Sequence, residues 1–308
     1  MATKVSIIGA GNVGATTALL IAQAGIADVI LFDIVEGMPQ GKALDLAEAC
    51  PLWNSPSAVS GTNDYADTAG SDIVVIAAGF ARKPGMSRSD LLHANADVVH
   101  EASAQIARTS PGAIVIVVTN PMDVMAQLAW KTTEFSCKRV FGMGGILDAT
   151  RLKAFIAMEL RVSPEDIEAL VFGGHGKDMV PLPRFTTVRG VPITELLPKK
   201  RISSLIERTR YGGAEIVSLL KTGSAYYAPA ASTFQMIKSI LFDEKRVLPC
   251  AAYLNGEYGI KDIYMGVPVI LGAEGVEKVL EVKLTKEEKA EFRKSYQSVK
   301  KLVKQLKI

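Results

Sequence analysis

With 308 residues, 48% hydrophobic and 22% charged, the chain can bury two domain cores and is too evenly mixed for a disordered or fibrous protein. A net charge of +3, with no aromatic-interleaved basic stretch, argues against nucleic-acid and membrane partners. Cys50, Cys137 and Cys250 are odd in number and far apart, so they fit neither a disulfide framework nor a zinc site, and a reducing cytoplasm is the simplest home.

The first element is the stretch VSIIGAGNVG at 5–14, which reads as a buried strand, a glycine turn and a helix start. Gly9 permits the tight turn, Gly11 lets the backbone approach a pyrophosphate, and Gly14 lets the helix pack close to the strand. Ala10, Asn12 and Val13 complete that turn, whose N–H groups suit a doubly negative group. A second strand ends at Asp33, where a carboxylate can accept bonds from a ribose 2′-hydroxyl and would repel a 2′-phosphate, so NAD is expected over NADP. The uncharged run 5–27 also resembles a signal peptide, but its glycine spacing and polar residues favour the nucleotide fingerprint.

Residues 37–48 have helical spacing, and a weak third strand lies near Val59. The apolar runs 73–79 and 114–120 predict central parallel strands, separated by a long helix over 88–109. Pro121 stops the second run and starts a helix to about 133, and 139–142 is a short strand. Alternating strands and helices predict an α/β domain with a Rossmann-type, mostly parallel sheet that binds its ligand at the strand carboxyl ends. The second half changes texture. Helices are expected over 148–160, 202–220 and 232–242, and strands over 167–172, 185–189, 247–253 and 263–271. Thr285 with Glu288 forms a capping box for a last helix. The expected division is a dinucleotide-binding domain over 1–145 and a mixed α+β catalytic domain over 146–308.

Three clusters carry chemistry. His175, one of three histidines, stands in GGHG, where glycines leave an imidazole accessible for proton transfer near neutral pH. Asp148 and Arg151 share a helix face. A carboxylate there can fix the His tautomer, and a guanidinium can grip a substrate carboxylate. The loop 79–88 carries Arg82 and Arg88 at a strand's ligand end, which suits a lid over an anionic substrate. Taken singly, these residues have plainer readings as a turn histidine, a helix ion pair and solvated loop charges. His93 and His100, seven apart on one helix, read as ordinary helix residues, and no metal is expected.

The motifs GAGNVG, LFDIVEG with QGKALDL, ARKPGMSR, VTNPMD, GILDATR, GGHG with MVPLPR, and GSAYYAPA resemble the lactate/malate dehydrogenase superfamily from end to end. Within it the chain looks most like malate dehydrogenases of the lactate-dehydrogenase-like type. The resemblance implies that His175 donates and accepts the proton and Asp148 is its partner. It implies that Arg151 holds the C1 carboxylate, Arg88 polarises the carbonyl, Asn120 bonds the substrate oxygen and Arg82 takes the second carboxylate. Ser224 would approach the substrate, and Asn95, Val118, Thr119 and Asn120 would line NAD. A small dicarboxylate substrate and a homotetramer or homodimer follow from the same likeness. The family commonly has an acid directly after GGHG; here Lys177 stands there, and it is expected to face solvent. The rival readings are a lactate enzyme, which could not use the Arg82 charge, and a catalytically silent NAD-binding sensor, which would not need the whole residue set.

Overall fold

The structure is a computed structural model that describes residues 3–80 and 88–307, with Arg88 described by its backbone alone. Arg82 therefore lies outside the described residues, as does the Arg88 side chain. In the first half, β1 (Lys4–Ile8), α1 (Asn12–Ala24), β2 (Asp28–Phe32), α2 (Met38–Ala49), β3 (Val59–Thr62), β4 (Ile73–Ile76), α3 (Arg88–Thr109), β5 (Ile114–Val117), α4 (Met122–Thr133) and β6 (Val140–Gly142) follow one another. Their strands pair in parallel in the order β3-β2-β1-β4-β5-β6. All four residues of β4 and of β5 are buried, as an apolar run covered on both faces requires.

The second half comprises α5 (Gly145–Leu160), β7 (Ile167–Glu168), β8 (Val171–Gly173), β9 (Met179–Pro181), β10 (Thr187–Val188), β11 (Val191–Pro192), α6 (Ile193–Leu196), α7 (Lys199–Leu220), α8 (Tyr227–Leu241), β12 (Arg246–Asn255), β13 (Lys261–Gly272), β14 (Gly275–Val279) and α9 (Lys286–Leu306). It does not form a sheet of its own apart from the small ribbon β11-β10-β7. Instead β12 pairs antiparallel with β6, and β13, β8 and β9 extend the same sheet.

The register makes one continuous row across this sheet. Thr62, Phe32, Ile8, Ile76, Val117, Gly142, Ala251, Gly266, Gly173 and Met179 are successive Cα partners. Where the parallel strands end at this row, the chain leaves as Gly9, Asp33, Ala77, Val118 and Met143. On the far side, β8 ends in the same row at Gly173 and leads directly to His175. The crossing is close: a Cβ on Gly266 would overlap the Gly173 carbonyl oxygen, and one on Gly142 the Met122 sulfur. One hydrophobic core accordingly joins Val5 and Val75 to Tyr264, Met236 and Val299 of the second half, while a smaller core gathers Leu152, Ile156, Ile167, Ile202 and Leu205.

Local chemistry explains most element ends. Thr285 Oγ1 accepts the Glu288 N–H at 3.2 Å and Glu288 returns the bond to the Thr285 N–H at 2.8 Å, so the expected capping box starts α9. Several details differ from the sequence expectation. The stretch 167–172 splits between two sheets, and 185–189 shortens to β10 behind a turn at Pro183–Phe185. Helix α8 starts five residues earlier than expected, at Tyr227, because Pro229 suits a helix's first turn rather than ending one. The short strands β9 and β11 and the hairpin strand β14 have too few residues to show a period.

Candidate active site

The glycine turn leaves backbone N–H groups open at the start of α1. A Cβ on Gly9, which has φ +105°, would stand 2.5 Å from the Ala78 nitrogen, and one on Gly14 would overlap the Gly9 carbonyl oxygen. These two glycines bring α1 down onto the sheet. A Cβ on Gly11 would meet nothing within 4 Å, so the backbone there faces open space. The first turn of α1 has neither a side-chain cap nor an acidic residue. Its free N–H groups and positive dipole end suit a pyrophosphate.

The peptide of Ala10 is held at both ends. Its N–H donates to Asp33 Oδ2 at 2.8 Å, and its carbonyl accepts from Lys42 Nζ at 2.7 Å. Asp33 Oδ1 accepts the Val35 N–H at 3.1 Å, and Asn63 ties the carbonyls of Asp33 and Val35 from β3's end. The carboxylate is thus fixed at the end of β2 and remains partly exposed. Lys42 was not expected here; its place within QGKALDL was the available signal.

Asn95 is almost fully buried, and both ends of its amide are used. Oδ1 accepts the Phe80 N–H at 2.7 Å, and Nδ2 donates to the Asn120 carbonyl at 2.7 Å. Thr119 donates to the Ala78 carbonyl at 2.6 Å. These bonds lock the chain after β4 to the chain after β5, with Val118 and Thr119 buried and Asn120 exposed.

The reactive cluster sits where α5 passes the loop after β8. His175 Nδ1 lies 2.9 Å from Asp148 Oδ2. A carboxylate only accepts, so Nδ1 carries a proton and Nε2 is the free ring nitrogen. Asp148 is 1% exposed, and its other oxygen is 3.8 Å from Arg151 Nη1. Burial works against the His175 imidazolium, but the Asp148 charge and hydrogen bond, with Asp123 behind them, outweigh burial and Arg151 and raise its pKa above 6.5. Burial also pulls the Arg151 pKa down, against the Asp148 charge, although a guanidinium stays protonated near neutral pH. Arg151 Nε is buried with no hydrogen-bond partner and lies beside Gly212 of α7. The exposed Lys177 side chain follows this loop.

Three further contacts were not read from the sequence. Asp123, on the first turn of α4, accepts the His175 backbone N–H at 2.8 Å. Ser295 of α9 accepts the Gly174 N–H at 2.8 Å. Gly212 and Gly213 pass close to Arg151, and a Cβ on Gly212 would stand 3.3 Å from its Cδ. Paired glycines inside a helix cost about 1 kcal/mol each, so their presence was the signal of a close neighbour. Ser224 stands exposed in the turn before α8 and takes no part in the bonds of the His175 cluster.

No helix among the described residues is long and apolar enough to cross a membrane. The family model for the lactate/malate dehydrogenase NAD-binding domain matches residues 3–142, and that for the family's α/β C-terminal domain matches 146–307. The chain is 57% identical over 300 residues to a malate dehydrogenase of Heliobacterium modesticaldum, covering 97% of each. A crystal structure of Cryptosporidium parvum malate dehydrogenase superposes with a TM-score of 0.97 at 44% identity, covering 100% of this chain and 99% of that one. A lactate dehydrogenase of Cryptosporidium parvum, complexed with lactic acid and nicotinamide adenine dinucleotide, gives 0.96 at 41% identity, covering 99% and 98%.

Proposed function

Since the chain belongs to the lactate/malate dehydrogenase family, we propose that it is an NAD-dependent malate dehydrogenase that interconverts (S)-malate and oxaloacetate. The observation that carries this reading is the buried Asp148 joined to His175 on one side and to Arg151 on the other, with an unpaired donor left on Arg151. An imidazole poised to give a proton beside a guanidinium that can hold a carboxylate suits reduction of a 2-oxo acid.

In this reading, residues 1–145 hold NAD through Gly9–Gly14, Asp33 and the strand ends at Val118–Asn120, with Asn95 bracing that edge. Residues 146–308 supply His175, Asp148 and Arg151. When bound, NADH supplies the hydride to the keto carbon. His175 Nε2 gives its proton to the forming alkoxide, and Asp148 stabilises the imidazolium before transfer. Arg151 orients the C1 carboxylate bidentately. The family resemblance assigns the second carboxylate to Arg82, carbonyl polarisation to Arg88 and a substrate hydrogen bond to Asn120, with Ser224 near the substrate. A homo-oligomer in the cytoplasm completes the reading.

Loss of NADH absorbance with oxaloacetate against pyruvate tests it. Oxaloacetate is expected to win by orders of magnitude in kcat/KM, and Arg82→Gln to erode that preference while leaving NADH affinity in place. Equal rates on both substrates would favour the lactate-type chemistry of the similar Cryptosporidium parvum enzyme. Asp33→Ser is expected to raise NADP use, because it removes the charge that a 2′-phosphate would meet and leaves the Lys42 ammonium bonded to Ala10 nearby. Measured KM values for the two cofactors check this, and an unchanged ratio would show that another residue sets the preference.

A further inference from the structure

We propose that Asp123 is a positioning residue for His175, fixing the main chain of its loop from α4 and presenting a second negative charge to its ring. The proposal rests on the reading of His175 as proton carrier. Asp123 is 5% exposed, and one carboxyl oxygen is spent on the His175 N–H at 2.8 Å. The other oxygen is buried with no hydrogen-bond partner. A neutral amide oxygen can also accept that N–H, though less strongly than a carboxylate, so exchanging the two separates the bond from the charge. The carboxylate's charge lies in a buried environment, where a charge acts strongly on its neighbours.

Asp148 of α5 meets the His175 ring at Nδ1, Arg151 is the ion-pair neighbour of Asp148 on the same helix, and Asp123 of α4 reaches the residue at its backbone N–H; the two carboxylates favour the imidazolium and the guanidinium opposes it. From α9, the Ser295 hydroxyl holds the adjacent Gly174 N–H, and the Ser298 hydroxyl donates to Asp178 Oδ2 at 2.7 Å. The loop is therefore pinned from both halves of the molecule. Asp123 comes three residues after Asn120, whose carbonyl is tied through Asn95 to Phe80. The backbone that ends the cofactor side of the cleft and the backbone that bears the histidine thus share one helix start. Burial pushes the Asp123 carboxyl up to about 6, against the His175 N–H and ring, which leaves it charged in neutral solution. Asp123 and Arg151 act on the ring in opposite directions, so the net field at His175 is set by a buried carboxylate on each of two helices against one guanidinium.

The test uses the full chain labelled with [13C]histidine. Its three histidines make the ring resonances few, and His175→Asn identifies the relevant one. In Asp123→Asn, an amide oxygen keeps the His175 N–H bond while the charge is lost. The His175 midpoint is expected to fall by about half a unit or more. Oxaloacetate reduction is expected to lose kcat most on the alkaline side, with KM for oxaloacetate little changed. Asp123→Leu removes both bond and charge, and its kcat is expected to fall at every pH. An unmoved His175 midpoint in Asp123→Asn overturns the proposal, whatever turnover does. The titration needs no substrate, so failure of the parent protein to use oxaloacetate would strike the functional reading alone. Should Asp123→Leu not fold, the asparagine variant still decides.

Discussion

Asp148→Asn is expected to lower kcat by about three to four orders of magnitude, with NADH affinity retained. The carboxylate lies 2.9 Å from His175 Nδ1 and 3.8 Å from Arg151 Nη1, with 1% of the residue exposed. An asparagine has one acceptor and one donor end, so it cannot serve both neighbours. If its oxygen turns to Arg151, its NH₂ meets Nδ1 and drives the ring proton to Nε2. If the oxygen stays on Nδ1, the NH₂ faces a guanidinium. The negative charge is lost either way, and the imidazolium with it. The parent's pH profiles follow from the raised His175 pKa. Reduction needs the protonated ring, so it declines as pH rises through a midpoint above 6.5, while malate oxidation gains over the same span. In the variant, the remaining reduction should decline at lower pH. Stopped-flow turnover across pH measures both effects, and a loss under tenfold would remove Asp148 from the proton relay.

Removing the buried guanidinium has a different signature. Arg151→Gln is expected to cost about 2–5 kcal/mol of transition-state binding, roughly 30- to 5,000-fold in kcat/KM. Much of it should appear in the KM for oxaloacetate. The change also leaves Asp148 buried without its cationic neighbour, so the melting temperature should fall as well. Arg151→Lys separates charge from shape. A lysine keeps the charge but cannot make a planar two-pronged bond, and Gly212 and Gly213 leave room shaped for the longer fork. The lysine variant is expected to recover stability more than kcat/KM. Near-parental kcat/KM in Arg151→Lys would show that a point charge suffices.

The parallel half of the fold was legible because its signals are local. Runs such as 73–76 and 114–117 are apolar throughout, and the glycines at 9, 11 and 14 state their spacing directly. His175, Asp148 and Arg151 were readable for the same reason, two of them from a helix face and one from its glycines. Val171–Gly173 holds its place through pairing with Lys261–Gly272, which no window of sequence contains, and Met179–Pro181 joins the sheet only through Val171–Gly173. Asp123 escaped because its function depends on a backbone N–H 52 positions away. A carboxylate in a helix's first turn has an ordinary explanation in the helix dipole, and only the fold shows that it points elsewhere. Asn95 illustrates the opposite case. Its amide is spent on the Phe80 and Asn120 backbones, so it ties together the chain after β4 and the chain after β5.

The shared sheet has a consequence for dividing the molecule. A fragment stopped near residue 145 would keep the glycine turn but strip β12 from β6, exposing the edge at Val140–Gly142 and the apolar flank of α4 that faces β13. Bare strand edges recruit other chains, so such a half should self-associate rather than persist as a free nucleotide binder. The two halves, expressed as separate chains, would then be soluble only when produced in one cell, each serving as the other's missing neighbour.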